Sequence, residues 1–166
     1  MSGYGNSAQQ NRMTRNAKII TALLVLLFIL TGFFREFVFL NVNEQMRVTY
    51  YNAPETFVAP SMQWLESISY TSLYYLKWIL TATFILIFAG MAALIVKLLF
   101  NDRKLIRISV LTYLLIFAAS FLFYLIGALS GNTETTYAIA RFLAGLAESP
   151  ALLIILVGAF TIIRRN

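Results

Sequence analysis

Four long apolar stretches, at residues 19–34, 79–96, 108–129 and 138–163, are separated by connections of which every second one is rich in Lys and Arg. No other feature of the chain constrains its fold as much. A helix of about 20 apolar residues crosses a bilayer core about 30 Å thick. The pattern therefore predicts an all-α integral membrane protein with four transmembrane helices. With flanking residues included, the spans are expected at 19–40, 72–98, 106–129 and 138–163, in a single membrane domain over residues 17–166. Residues 1–16 are rich in Ser, Gln, Asn and Gly, lack periodicity, and are expected to form a disordered cytoplasmic tail.

The charges set the expected orientation. Arg12, Arg15, Lys18, Lys97, Arg103, Lys104, Arg107, Arg164 and Arg165 flank one set of helix ends, with Asp102 as the sole acid among them. The other connections carry Arg35, Arg47, Lys77 and Arg141 against Glu36, Glu44, Glu55, Glu66, Glu134 and Glu148. Short basic loops stay in the cytoplasm, so both termini are expected there. The same distribution accounts for the net charge of +6 without a nucleic-acid ligand. A basic N-terminus followed by an apolar run is also the pattern of a cleaved signal. Here no small-x-small site follows, because the run ends Thr31-Gly32-Phe33-Phe34-Arg35. A retained first span is expected.

Composition narrows the chemistry. Only 12% of residues are charged, against about 25% in soluble domains. The chain has neither Cys nor His, which removes disulfides, thiol nucleophiles, imidazole acid–base catalysis and Cys/His zinc sites. No phosphate-binding loop, nucleophile elbow or acid-pair motif occurs. No catalytic residue, cofactor or metal site is assigned.

Residues 41–71 are expected to be the external segment. Val48, Tyr50 and Phe57 suit a short strand or coil, interrupted by Pro54 and Pro60. From Pro60, Met62, Leu65, Ile68, Leu73 and Leu76 recur at three-to-five-residue spacing opposite Glu66 and Ser67. This predicts an amphipathic helix on the outer face that leads into the second span. Trp64, Tyr70, Tyr74, Tyr75 and Trp78 crowd this region. They suit the headgroup level of a bilayer and form an aromatic surface open to a partner.

The last stretch is interrupted. Its uninterrupted part, 150–163, is about 21 Å long at 1.5 Å per residue, too short to cross. Ser149-Pro150 fits a helix start. The fourth span is thus kinked at Pro150 or preceded by a separate surface helix. Arg141 and Glu148 are two turns apart and share a face in a continuous helix, a separation that stretches direct pairing. Either is also placed to meet Arg35 or Glu36 of the first span. Charges beside spans are functional candidates because burying them is costly. Arg141, Glu148, Arg35 and Glu36 are either a pair that fixes docking depth or a polar site for a substrate or partner.

Several segments carry a resemblance. They are Phe33-Phe34-Arg35-Glu36-Phe37-Val38-Phe39, Leu73-Tyr74-Tyr75-Leu76-Lys77-Trp78, Tyr113-Leu114-Leu115-Ile116-Phe117, and Arg141-Phe142-Leu143 followed by Ser149-Pro150 and an apolar run through Ala159-Phe160. Together these resemble the exosortase F-associated membrane proteins, small four-span proteins of Bacteroidota. The resemblance implies a bacterial inner-membrane accessory protein of a protein-sorting peptidase, with Arg141 and Pro150 as family-like positions. Exosortases use Cys, Arg and His, so a chain without Cys and His is not the peptidase itself. The expected function is a non-enzymatic accessory or scaffold subunit. Its partners are the lipid bilayer and another membrane protein, with an exosortase-type peptidase as the implied candidate. The alternatives are a small transporter or channel, and an outer-face enzyme acting on lipid or polymer.

Overall fold

The computed structural model describes residues 15–131 and 133–165. Of the tail expected over 1–16, residues 1–14 lie outside the described residues, and Arg15 and Asn16 already belong to the first helix. The described residues form five α-helices and one 3-10 helix, with no strand among them.

Helix α1, Arg15–Tyr51, is 37 residues long, about 55 Å at 1.5 Å per residue. It exceeds the ~30 Å hydrocarbon core by nearly its own half. Residues 41–51, expected to be external strand or coil, are instead wound into α1. Nothing breaks the helix before Pro54, and Arg47 pairs with Glu44 one turn earlier, its Nη2 2.7 Å from Oε1. Asn52, at φ 50, ends the helix in the left-handed region.

The chain then folds back. The expected amphipathic helix before the second span is a 3-10 helix, Pro60–Ser67, set apart from α2 by extended backbone at Ile68. Its apolar side behaves as the spacing suggested. Leu65 is fully buried with Leu73 against Val38 and Val42 of α1, and Met62, Ile68 and Leu76 pack around them. The extension of α1 and the 52–69 connection form a small cap with its own core. Asn41 ties the two parts together: its Oδ1 accepts from the Ala59 N–H at 2.6 Å, and its Nδ2 donates to the Phe37 carbonyl at 2.7 Å.

Helix α2, Tyr70–Phe100, is capped by Ser69, which accepts from the Ser72 N–H. It ends at Asn101 (φ 48), and Asp102 caps α3, Arg103–Ser130, by accepting from the Lys104 N–H at 2.7 Å. This two-residue turn gives the antiparallel hairpin expected from the basic loop. Gly131 (φ 71) ends α3 in the left-handed region, where a glycine carries no steric cost. Helix α4, Thr133–Ala147, and α5, Pro150–Ile163, follow.

The helices pack in chain order, α1 on α2, α2 on α3 and α3 on α4. Helix α2 is central. Ile85, Phe88, Ala89, Ala92, Ile95 and Val96 form one buried stripe at helical spacing. Phe28 of α1 meets Phe88 edge-on at 4.8 Å, and Phe160 of α5 meets Phe100 at 5.9 Å. Small residues allow close approach. Ala89 and Ala92 of α2 are buried in the main core cluster, and buried Ser120 of α3 donates to the Ala140 carbonyl of α4 at 2.8 Å. Many Leu, Ile and Phe side chains of α1 and α3 point outward, as a lipid-facing surface requires.

Three helices, α1, α2 and α3, are long and apolar enough to cross a membrane, and there is a fourth span if α4 and α5 together count as one bent by 63°. Length and composition thus allow three or four spans. Of the two forms expected for the last span, the structure has two distinct helices joined at a sharp break before Pro150.

Candidate functional site

The break between α4 and α5 is local chemistry. Proline fixes its own φ, lacks an N–H, and disfavours helical backbone in the residue before it. Ser149 accordingly sits extended at φ −118, ψ 153. Its hydroxyl turns back to donate to the Leu146 carbonyl at 2.9 Å. Glu148, the last residue before the turn, points inward, its side chain 1% exposed.

There it meets Arg35 of α1. The Arg35 Nη2 donates to Glu148 Oε2 in a short ion pair that joins residues 113 positions apart. The guanidinium also lies over the Phe39 ring, 4.7 Å from its centre, one turn along the same helix. Arg35 Nε and Glu148 Oε1 are buried without a hydrogen-bond partner. A buried pair of this kind costs desolvation and is strongly destabilising to break from one side. It fixes where the break docks on α1.

Beside the pair lies a cavity of about 520 Å³ between α1, α2 and α4. Arg35, Glu36, Arg141 and Glu148, the four charged candidates, all line it. Arg141 does not pair with Glu148, and neither Arg141 nor Glu36 forms an ion pair among the described residues. The aromatic candidates divide. Tyr70, Tyr74 and Trp78 line the cavity, whereas Trp64, on the 3-10 helix, and Tyr75 face away and are exposed. Behind the cavity wall, the Tyr74 hydroxyl is hydrogen-bonded to that of Tyr124, and Trp78 meets the Tyr124 ring at 4.5 Å.

Lys77 and Tyr137 are among the lining residues that are not sequence candidates. The sequence reads Lys77 as a connection charge and as part of the Leu73–Trp78 segment. Its signal was its place next to Trp78 and one turn after Tyr74, which puts it on the same helix face. Tyr137 lies one turn before Arg141 on α4, the same relation.

The cavity gathers three cations, two acids and a rim of phenol and indole groups. No group of three carboxylates able to hold a metal forms among the described residues. The arrangement is suited to holding a polar group at the edge of an apolar surface. No protein-family model, no curated protein and no solved structure matches this chain.

Proposed function

We propose that the protein is a non-enzymatic accessory subunit of a bacterial inner-membrane complex, with both termini in the cytoplasm and the cap on the opposite face. The observation that carries this reading is the aromatic surface of the cap. Phe57 is 77% exposed, Tyr51 71% and Trp64 54%. Tyr51 lies eleven residues beyond Leu40, where the apolar run of α1 ends, which is about 16 Å along the helix. The headgroup layer is only roughly 5–8 Å deep. Tyr51 therefore stands beyond the level at which a bilayer would cover it, whereas Phe57, whose N–H donates to Glu44 Oε1, and Trp64, next to Leu65 on Val38 and Val42, lie nearer the headgroup level. An exposed aromatic surface that starts at the headgroup level and continues beyond it suits a protein interface.

The partner that fits is a membrane protein with an extramembrane surface above the same leaflet. The resemblance to exosortase F-associated proteins makes a protein-sorting peptidase the first candidate. Affinity purification of the tagged protein in mild detergent, with mass spectrometry of what accompanies it, is the test. A stoichiometric membrane partner is expected, and it should be lost from the Phe57→Ala, Trp64→Ala double variant. A clean homo-oligomer carrying only lipid would sink the proposal.

A further inference from the structure

We infer that the cavity between α1, α2 and α4 is a binding site for a phosphoethanolamine headgroup, supplied by a phospholipid of the surrounding bilayer. The assignment is independent of the partner proposed above, whose aromatic residues Phe57 and Trp64 lie outside the cavity.

Charge is the first argument. Arg35 and Glu148 neutralise one another. That leaves Lys77 on α2, Arg141 on α4 and Glu36 on α1 lining the same space without an ion-pair partner among the described residues. Two cations on separate helices are suited to a phosphate. A simple anion would leave Glu36 as an unfavourable neighbour. A group bearing both a phosphate and an ammonium satisfies all three. The buried pair repeats the theme, since Arg35 Nε is a donor and Glu148 Oε1 an acceptor, each without a partner.

Size and level are the second argument. A cavity of about 520 Å³ is within the ~300–1,000 Å³ range of small-molecule sites. Its rim carries Tyr70, Tyr74, Trp78 and Tyr137, the ring types that gather at the headgroup level. Below that rim, Phe33, Phe34 and Phe37 of α1 are exposed, as are Ile139 and Phe142 of α4. Acyl chains attached to a headgroup in the cavity have apolar surface to lie against. A soluble zwitterion would make no use of it.

The test uses the full chain in nanodiscs containing equal amounts of phosphatidylethanolamine, phosphatidylglycerol and phosphatidylcholine. The protein is then extracted into mild detergent, washed, and its retained lipid identified by native mass spectrometry. The expected result is about one phosphatidylethanolamine per chain, preferred over each of the others. Arg141→Gln and Lys77→Gln should each lower its retention at least about tenfold, the effect of losing a charge-assisted hydrogen bond. Glu36→Gln should keep lipid bound but erase the preference over phosphatidylglycerol. All three positions are exposed or half-exposed, and unchanged thermal unfolding of the variants shows that they fold. Equal or better retention of phosphatidylglycerol by the wild type would overturn the ammonium assignment. Retention unaltered by both cation variants would overturn the site. If soluble glycerophosphoethanolamine raises the melting temperature while no lipid is retained, the lipid source is wrong.

Discussion

Helix α1 and the α4–α5 pair both carry charge into an apolar run, and they handle it in opposite ways. Helix α1 has no proline between Arg15 and Tyr51, and it runs unbroken past Arg35 and Glu36. Its arginine stays partly exposed, 26% by side chain, and lies over Phe39. The α4–α5 pair breaks at Glu148-Ser149-Pro150, and the break turns its carboxylate fully inward. A continuous helix leaves a charge on the face where the sequence puts it. A broken helix can re-aim one. The ion pair between Arg35 and Glu148 is where the two solutions meet, and it seats the broken helix on the straight one.

The comparison breaks most severely if that contact is removed from one side. Arg35→Met leaves Glu148 buried without a counter-ion, and is expected to cost about 3–5 kcal/mol of stability, read by denaturation in micelles. The double variant Arg35→Met, Glu148→Leu should return to within about 1 kcal/mol of wild type, because an apolar pair replaces a buried ionic one at little cost. A double variant as weak as the single one would show that the pair is not the contact that docks the break.

The unbroken side can be tested at its extension. Asn41→Ala strands the Ala59 N–H and should cost about 1–3 kcal/mol. The loss is local: residues 52–69 should gain amide exchange and protease sensitivity while α1 stays helical. Exchange spread evenly over the bundle would argue that the cap is not a separate unit. Away from both regions, Tyr124→Phe removes the hydroxyl bonded to Tyr74 and should cost only about 0.5–1.5 kcal/mol, without altering the docking of α5.

The smallest effect sharpens the comparison most. Pro150→Ala should change stability by about 0.4–1 kcal/mol, largely through the unfolded chain. With Arg35 and Glu148 intact, the bend should persist, since Glu148 remains held by α1. In the Arg35→Met, Glu148→Leu background the same change should let the bend open. Spin labels at positions 138 and 163 report it as a longer distance. Opening in the wild-type background would show that the ion pair does not hold the bend once the proline that starts it is gone.

The α2–α3 hairpin was legible from its basic turn, because Asn101 and Asp102 are local stop and start signals. The interruption at Ser149-Pro150 was legible for the same reason. Arg35 with Glu148 was one of the pairings open to the sequence, but nothing local distinguished it from Arg141 with Glu148. The distinction depends on which way a 63° break points, and that is set by packing. The extension of α1 to Tyr51 is not legible in the sequence because Val48, Thr49 and Tyr50 suit a strand by propensity. The Val38–Val42–Leu65–Leu73 core of the cap outweighs that preference. Lys77 belongs to the site because α2 faces α4 across the cavity, which no local signal encodes.

The sequence by itself determined that the chain is helical, that its helices are long and apolar enough for a membrane, and where the chain turns. These follow from local rules, the length of an apolar run and the stereochemistry of Pro, Asn and Asp, which act over a few residues. The tertiary structure decided which charges meet, what the aromatic residues face, and that a cavity opens between α1, α2 and α4. Those depend on the rotation and tilt of each helix about its own axis. In an apolar chain whose helices are hydrophobic almost all round, no amphipathic pattern fixes that rotation in advance, so the buried polar contacts and close-packed small residues fix it instead.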